Sequence, residues 1–290
     1  MIELSKPMAA TPISRRKFLA MGALALTGAM AGGPATIYFG NEANQVSLER
    51  RQIPIQNLPA GLEGFKIAQL SDIHLGPLTK IELVKEAVRL TNSLNPDVVV
   101  LTGDYIWREA SSVFDLTPVL AQLNARHGIF SILGNHDVRS SKRKIVRTAF
   151  QESRLPLLEN QGVTLAVGQD RLYLAGLDDG LAGHPHLKET MANWPNGVPA
   201  ILLLHEPDLA DHYANDRRFV LQLSGHSHGG QIRTPNNKAL ILPYLGAKYD
   251  MGLFNVNGMW LYTNRGLGVT NEPFRFNCPP EVTELTLVRA

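Results

Sequence analysis

FKIAQLSDIHLG, Phe65 to Gly76, is an apolar run that stops on a polar motif. The leading FKIAQL is too short for a helix and is rich in Phe, Ile and Leu, so it reads as a buried strand that delivers Ser71-Asp72-Ile73-His74 at its carboxyl end. The same construction recurs along the chain. DVVVLT leads to Gly103-Asp104, IFSIL to Gly134-Asn135-His136-Asp137, ILLL to His205, and FVLQLS to Gly225-His226-Ser227-His228. Helical patterns fall between several of these runs. In the best of them, Thr79 to Asn95, Thr79 and Glu82 form a capping box, Ile81, Val84, Val88, Thr91 and Leu94 line one face, and Asn95-Pro96 ends the helix. Thr117-Pro118 opens a second, short helix running through Arg126.

Strand, motif and helix in alternation place the motifs along one edge of a sheet, outside the carboxyl ends of its strands. Two later segments, MWLYT and EVTELTLV, alternate without intervening helices and are expected as antiparallel strands of a second sheet. The expected fold class is α/β, with two sheets face to face and helices outside.

Composition narrows the chemistry. With 290 residues, 44% of them hydrophobic and 19% charged, the chain can bury a sizeable core, and one main domain is expected. The net charge of +2 comes from Lys6, Arg15, Arg16 and Lys17; without that segment the remainder is about neutral, so no nucleic-acid partner is expected. Cys278 is the sole cysteine, which excludes an intramolecular disulfide and a thiolate-based zinc site. A metal site must therefore use imidazole, carboxylate and amide ligands.

Those ligands are what the motifs deliver: Asp72, His74, Asp104, Asn135, His136, His205, His226 and His228. Two carboxylates, one amide and five imidazoles suit borderline divalent ions such as Mn, Fe, Zn, Co or Ni. The set is too large for one tetrahedral ion with an open position. Two ions sharing a carboxylate would use it economically and could clamp the attacking and departing oxygens of a phosphoryl displacement. Gly225, Gly229 and Gly230 leave room around the His226/His228 pair, whereas His184 and His186 straddle Pro185 with no apolar run feeding them and read as an exposed loop.

In chain order, D-x-H, G-D, G-N-H-D, H and G-H-x-H resemble the calcineurin-like metallophosphoesterase family, over about Val46 to Val288. The stretches IPIQNLPAGLEGFKIAQLSDIHLG and RGLGVTNEPFRFNCPPEVTEL look like a bacterial exported phosphodiesterase branch of it. The resemblance implies a four-layer αββα sandwich with two mixed sheets, and a dinuclear phosphoester hydrolase whose nucleophile is a metal-bridging hydroxide. It implies that Asp72, His74 and His228 hold one ion and Asn135, His205 and His226 the other, with Asp104 bridging. His136 would contact the scissile phosphate and protonate the leaving oxygen. The implied substrate is a phosphoester small molecule or a phospholipid-like ester. Two other readings stand beside it: a pyrophosphatase of a nucleotide-linked lipid such as a lipid-A precursor, and a non-catalytic metal-binding envelope protein.

SRRKFLA, Ser14 to Ala20, sets paired arginines before the apolar run FLAMGALALTGAMA and resembles a twin-arginine export signal, with Ala29-Met30-Ala31 as a cleavage site. The expected organisation is a signal segment over 1–31, a linker over 32–45 and a catalytic domain over 46–290. The implied partner is the twin-arginine export machinery and the implied location the periplasm or cell envelope. The alternative is an uncleaved amino-terminal membrane anchor over Phe18 to Phe39. Arg139, Lys142, Arg143, Lys144 and Arg147 read as a solvated helix face, Asp178 and Asp179 as a loop, and His127 and His212 as surface or core histidines. The sequence assigns no role to Arg265.

Overall fold

Residues 42–290 are described by the computed structural model of the chain, so the expected signal segment and residues 32–41 of the expected linker lie outside the described residues. In chain order the elements are β1 (Ser47–Ile55), β2 (Lys66–Leu70), α1 (Ile81–Ser93), β3 (Val98–Leu101), α2 (Val113–Leu120), β4 (Ile129–Ser131), α3 (Asn135–Val138) and α4 (Lys142–Glu152). There follow β5 (Gln161–Val167), β6 (Asp170–Gly176), α5 (Leu187–Thr190), β7 (Ala200–Leu203), α6 (Ala210–Tyr213), β8 (Phe219–Ser224), β9 (Gly252–Val256), β10 (Met259–Thr263) and β11 (Glu281–Arg289).

Two mixed sheets form, ordered β1-β11-β2-β3-β4 and β5-β6-β7-β8-β10-β9. Their facing surfaces enclose a core that includes Ile67, Val98, Val100, Leu174, Ile201, Leu221 and Leu285. The opposite face of the first sheet packs on α1, α2 and α4 through Val99, Leu101, Val84, Val88, Leu116 and Phe150. That of the second sheet packs Ala175, Leu202 and Leu261 against Ala210 and Tyr213 of α6. Both faces of the central strands are thus dry, which is why the DVVVLT run is apolar at every strand position: Val98 and Val100 point between the sheets, Val99 and Leu101 toward the helices. The result is the expected four-layer αββα sandwich.

Several local expectations are corrected. The motif strands do not share one sheet edge: β2, β3 and β4 belong to one sheet and β7 and β8 to the other, with their carboxyl ends meeting at one end of the sandwich. Gln69 ties the two together there, donating from Nε2 to Thr102 Oγ1 (3.0 Å) and to the Ser224 carbonyl (2.9 Å). EVTELTLV is in the first sheet, where β11 runs parallel to β1 and antiparallel to β2, while MWLYT is β10, parallel to β8 and antiparallel to β9. Alternation gives the pleat but not the sheet.

No capping box forms at α1. Lys80 is its N-cap, and Thr79 Oγ1 instead accepts from the Val269 amide at 3.1 Å, a tertiary bond that outcompetes the local one. Thr117-Pro118 does not open a helix: α2 starts at Val113 with Pro118 inside it, and the helix ends at Leu120 rather than Arg126.

Candidate metal centre

All eight motif residues converge where the two sheets meet. Seven of them, Asp72, His74, Asp104, Asn135, His205, His226 and His228, are buried, and His136 is half-buried. Asp72, His74 and His228 form one group whose ligand atoms lie within 4.8 Å of one another, and Asp104, His205 and His226 form a second. Between the groups stands Asp104, its Oδ2 3.4 Å from His74 Nε2 and 3.2 Å from His205 Nε2. His74 Nε2 is 3.0 Å from His228 Nε2, which is 3.3 Å from Asp72 Oδ1. Asn135 Oδ1 lies 3.0 Å from His226 Nδ1.

The backbone is bent to achieve this. Asp72, His74, Asp104, His226 and His228 all have positive φ, between 48° and 68°, in a region that non-glycine residues rarely occupy. At the end of β2 the amide of His226 donates to both Asp72 oxygens at 3.0 Å, and Ser71 Oγ donates to Asp72 Oδ2 at 2.6 Å. Gly225 leaves the gap that makes this crossing fit, because a Cβ there would overlap Ser71 Oγ and Asp72 Oδ2.

Outer partners set which ring nitrogens face inward. His205 Nδ1 donates to the Thr102 carbonyl (2.7 Å) and His226 Nε2 to that of Tyr244 (2.8 Å), while His74 Nδ1 faces the carbonyl of Ile106 (3.3 Å). Each of these turns its other nitrogen toward the centre. His205 Nε2 is fully buried against the Asp104 carboxylate, and His226 Nδ1 faces an acceptor, Asn135 Oδ1. Converging ring nitrogens and carboxylates fit cations, and the absence of sulfur with mixed N and O donors fits borderline divalent ones.

Electrostatics point the same way. Burial opposes ionisation of Asp72 and Asp104, yet the surrounding imidazoles hold both carboxyls below their ordinary range. Burial, reinforced by His228 and His136, lowers His74 to about 3, and burial with His205 lowers His226 to about 4. His205 goes the other way: burial disfavours its charge, but Asp104 and Asp72 hold its pKa well above the usual histidine value. The pocket demands positive charge at that point.

A family model described as calcineurin-like phosphoesterase matches residues 65–230. The chain belongs to the calcineurin-like phosphoesterase family. Membership makes it a hydrolase of phosphoester bonds, in a family that works with two metal ions. It is 35% identical over 283 residues to the metallophosphoesterase YkuE of Bacillus subtilis, covering 95% of this chain and 98% of that one. It is 32% identical over 279 residues to the phosphodiesterase YaeI of Escherichia coli (95% and 100% covered). Identity to the UDP-2,3-diacylglucosamine pyrophosphatase LpxG of Chlamydia muridarum is 30% over 317 residues (89% and 95%). Among solved structures, TT1561 of Thermus thermophilus shares the fold at TM-score 0.50 and 12% identity, covering 70% of this chain and 90% of that one.

Around this phosphoesterase centre stand residues that the motif reading did not single out. Trp107 stacks on His136 (centroids 4.6 Å apart) and meets His74 edge-on (5.3 Å), and the His136 amide donates to Asp104 Oδ1 at 2.8 Å. Asp137 accepts from the amides of Asp104 (2.7 Å), Tyr105 (2.9 Å) and Gly134 (3.0 Å), fixing the loop that carries Asp104. Fully buried Arg275 donates to the carbonyls of Arg265, Gly268 and Cys278, with Nη2 3.5 Å from His228 Nδ1. Only Asp137 carried a signal, as the last residue of G-N-H-D; Trp107 and Arg275 meet the site through loops of no fixed spacing.

The remaining residues have structural roles. Arg143 pairs with Glu159 and Asp178, and Arg147 with Glu159, so these two are engaged within the protein rather than on a free basic face. Asp178 and Asp179 lie in a loop but are buried: Asp178 also accepts from His184 N, and Asp179 from the amides of Leu181 and Ala182. Arg265 joins Glu281 to Glu49, bracing β11 against β1. His184 and His186 are exposed, as is His212, and His127 rests half-buried near Phe65.

Proposed function

We propose that the chain is a phosphodiesterase in which Asp72, His74 and His228 hold one divalent ion, Asn135, His205 and His226 hold a second, Asp104 bridges them and His136 is the proton donor to the leaving oxygen. The supporting observation is the position of Asp104, whose Oδ2 lies between His74 Nε2 and His205 Nε2, one from each group. Mn, Fe, Zn, Co or Ni would suit the donor set. When bound, two such ions supply Lewis acidity that lowers the pKa of water and neutralises charge on phosphoryl oxygens.

The protein's own part is placement. Thr102 and Tyr244 carbonyls orient His205 and His226. Asp137 rigidifies the Asp104 loop, and Trp107 holds the His136 ring beside the centre without ligating anything. A non-catalytic metal protein would have no use for that accessible, oriented imidazole. The relationship to a nucleotide-lipid pyrophosphatase supports a second reading, cleavage of a phosphoanhydride at the same centre.

Asp104→Asn should deplete both ions together, because one carboxylate charge serves two cations; loss of a single ion would refute the bridge. Assaying the metal-loaded protein against monoesters, diesters and UDP-linked lipid pyrophosphates separates the two reactions.

The paired Arg15 and Arg16 support export of the folded protein by the twin-arginine machinery to the periplasm or cell envelope, cleaved or anchored. Replacing both with Lys should strand an active enzyme in the cytoplasm. Unchanged export on fractionation would remove this part of the proposal.

A further inference from the structure

Seven large apolar side chains are exposed among the described residues, and three of them, Leu78, Phe114 and Ile145, lie on separate segments. Leu240, Ile241, Tyr244 and Phe274 sit on two segments that clasp the turn carrying His226 and His228, and Ile241 is 56% exposed. The first segment is fastened by the Leu240 amide donating to the Ile232 carbonyl (3.1 Å) and by His226 Nε2 donating to the Tyr244 carbonyl (2.8 Å). The second is fastened by Gln231 Nε2 donating to the carbonyls of Glu272 (2.7 Å) and Phe274 (3.0 Å). Neither segment contributes these side chains to the three cores.

Charge on the first segment has one sign. Residues 232–249 contain Arg233, Lys238 and Lys248 and no carboxylate. Arg233 is paired with Asp250 and Lys248 with Asp211, whereas exposed Lys238 stands two residues from the apolar tip; the second segment carries one carboxylate, half-buried Glu272, two residues before Phe274. An apolar tip bordered by a cation matches the boundary of an anionic bilayer, where the apolar groups enter the acyl region and the lysine meets headgroup phosphates. Such a rim, on segments fastened to the turn that carries His226 and His228, would hold the centre at the depth where an amphiphile presents its phosphate.

We propose that Leu240, Ile241, Tyr244 and Phe274 form a docking rim that seats the metal centre on the surface of an anionic lipid bilayer, making phosphoesters of membrane amphiphiles the substrate class. The substrate half rests on the phosphodiesterase reading; the docking half does not. The test uses the full chain carrying Ile241→Cys with an environment-sensitive fluorophore, which labels that position alone because Cys278, the only native thiol, is fully buried. Asn196→Cys is the control, in the loop before the amino end of β7 and so at the opposite end of the sandwich. An amino-terminal anchor would bring both labels near the membrane, so the difference between them is the readout.

With vesicles of phosphatidylglycerol and phosphatidylcholine, the label at 241 should shift to the blue and that at 196 should not. Lys238→Glu should weaken the partitioning by about fivefold or more. No shift at 241, equal shifts at both positions, or a concentration-dependent shift without vesicles, which would mean that a second copy covers the rim, each overturns the proposal. Hydrolysis of bis(p-nitrophenyl) phosphate by the unsubstituted chain reports on the phosphodiesterase reading separately: docking without cleavage sinks the reaction and leaves the rim, and cleavage without docking does the reverse.

Discussion

His136 is the one motif histidine that touches no other ligand's lone pair. Its ring is held by stacking on Trp107 and by an edge contact to His74, and its amide is tied to Asp104. Burial and Arg139 lower its pKa against the pull of Asp104, which makes its protonated form a stronger acid. His136→Ala should therefore keep both ions yet slow cleavage by roughly 10²–10⁴-fold, the usual contribution of a positioned acid. Alkoxide leaving groups should suffer more than nitrophenolate, which departs without a proton. Metal analysis beside rates on graded esters checks this; a uniform loss with depleted metal would mean a structural histidine. The neighbouring imidazoles make a second prediction. His74 and His226, lowered to about 3 and about 4, are already neutral near pH 7, whereas His205 is held protonated by Asp104 and Asp72 until metal displaces its proton. Loading near pH 7 should thus release about one proton from these three, and affinity should fall about tenfold for each unit that pH drops below the raised His205 value. Titration calorimetry in buffers of different ionisation enthalpy reads the number directly, and a release of three would overturn the assignment of His74 and His226 as neutral.

At the scale of elements, the strand ends do more than carry ligands; they cross. Gly225, at the end of β8, passes so close to the end of β2 that a methyl group would overlap Asp72 and Ser71. Gly225→Ala should push Asp72 aside and lower metal occupancy, while leaving both sheets formed, because the collision is with two side chains and no strand backbone. Normal far-ultraviolet circular dichroism with reduced metal content is the expected pair of results; full occupancy would show that the crossing can relax. This crossing also marks the limit of what the sequence could reveal. The apolar runs and their polar endings were legible because burial on both faces leaves a continuous hydrophobic signal, as in Val98 to Leu101. That alternation predicts convergence of the eight residues along one sheet edge, whereas they meet where the ends of two sheets come together. Placement of β11 in the first sheet, the positive φ of five candidate ligands, and Thr79 bonding to Val269 instead of capping α1 did not follow, because each depends on a partner distant in the chain. Trp107 and Arg275 were invisible for the same reason.

For the whole molecule, the proposed centre would act as a fastener between two sheets. Asp72, His74, Asp104 and Asn135 follow strands of the first sheet, while His205, His226 and His228 follow strands of the second, and each proposed ion draws ligands from both. Without cations, that end of the sandwich holds two buried carboxylates that His205 alone does not neutralise, and an acceptor, Asn135 Oδ1, against His226 Nδ1, which oppose close approach of the sheets. The apolar core between the sheets continues to hold the fold, so metal-free protein should remain folded but less stable. An ion at a hundred times its Kd adds about 2.7 kcal/mol, and a domain of this size shifts its Tm by about 2–4 °C per kcal/mol, so chelating both ions should lower Tm by about 10–20 °C. Asp104→Asn should shrink the gap between loaded and chelated samples, since it removes the charge both sites share. The loss should be local as well as global: amides at the carboxyl ends of β3 and β8 should exchange faster after chelation, while those of β5 and β6, which carry no ligand, should change least. An unaltered Tm on chelation would show that the sandwich closes without metal and would remove the bridging role from the centre.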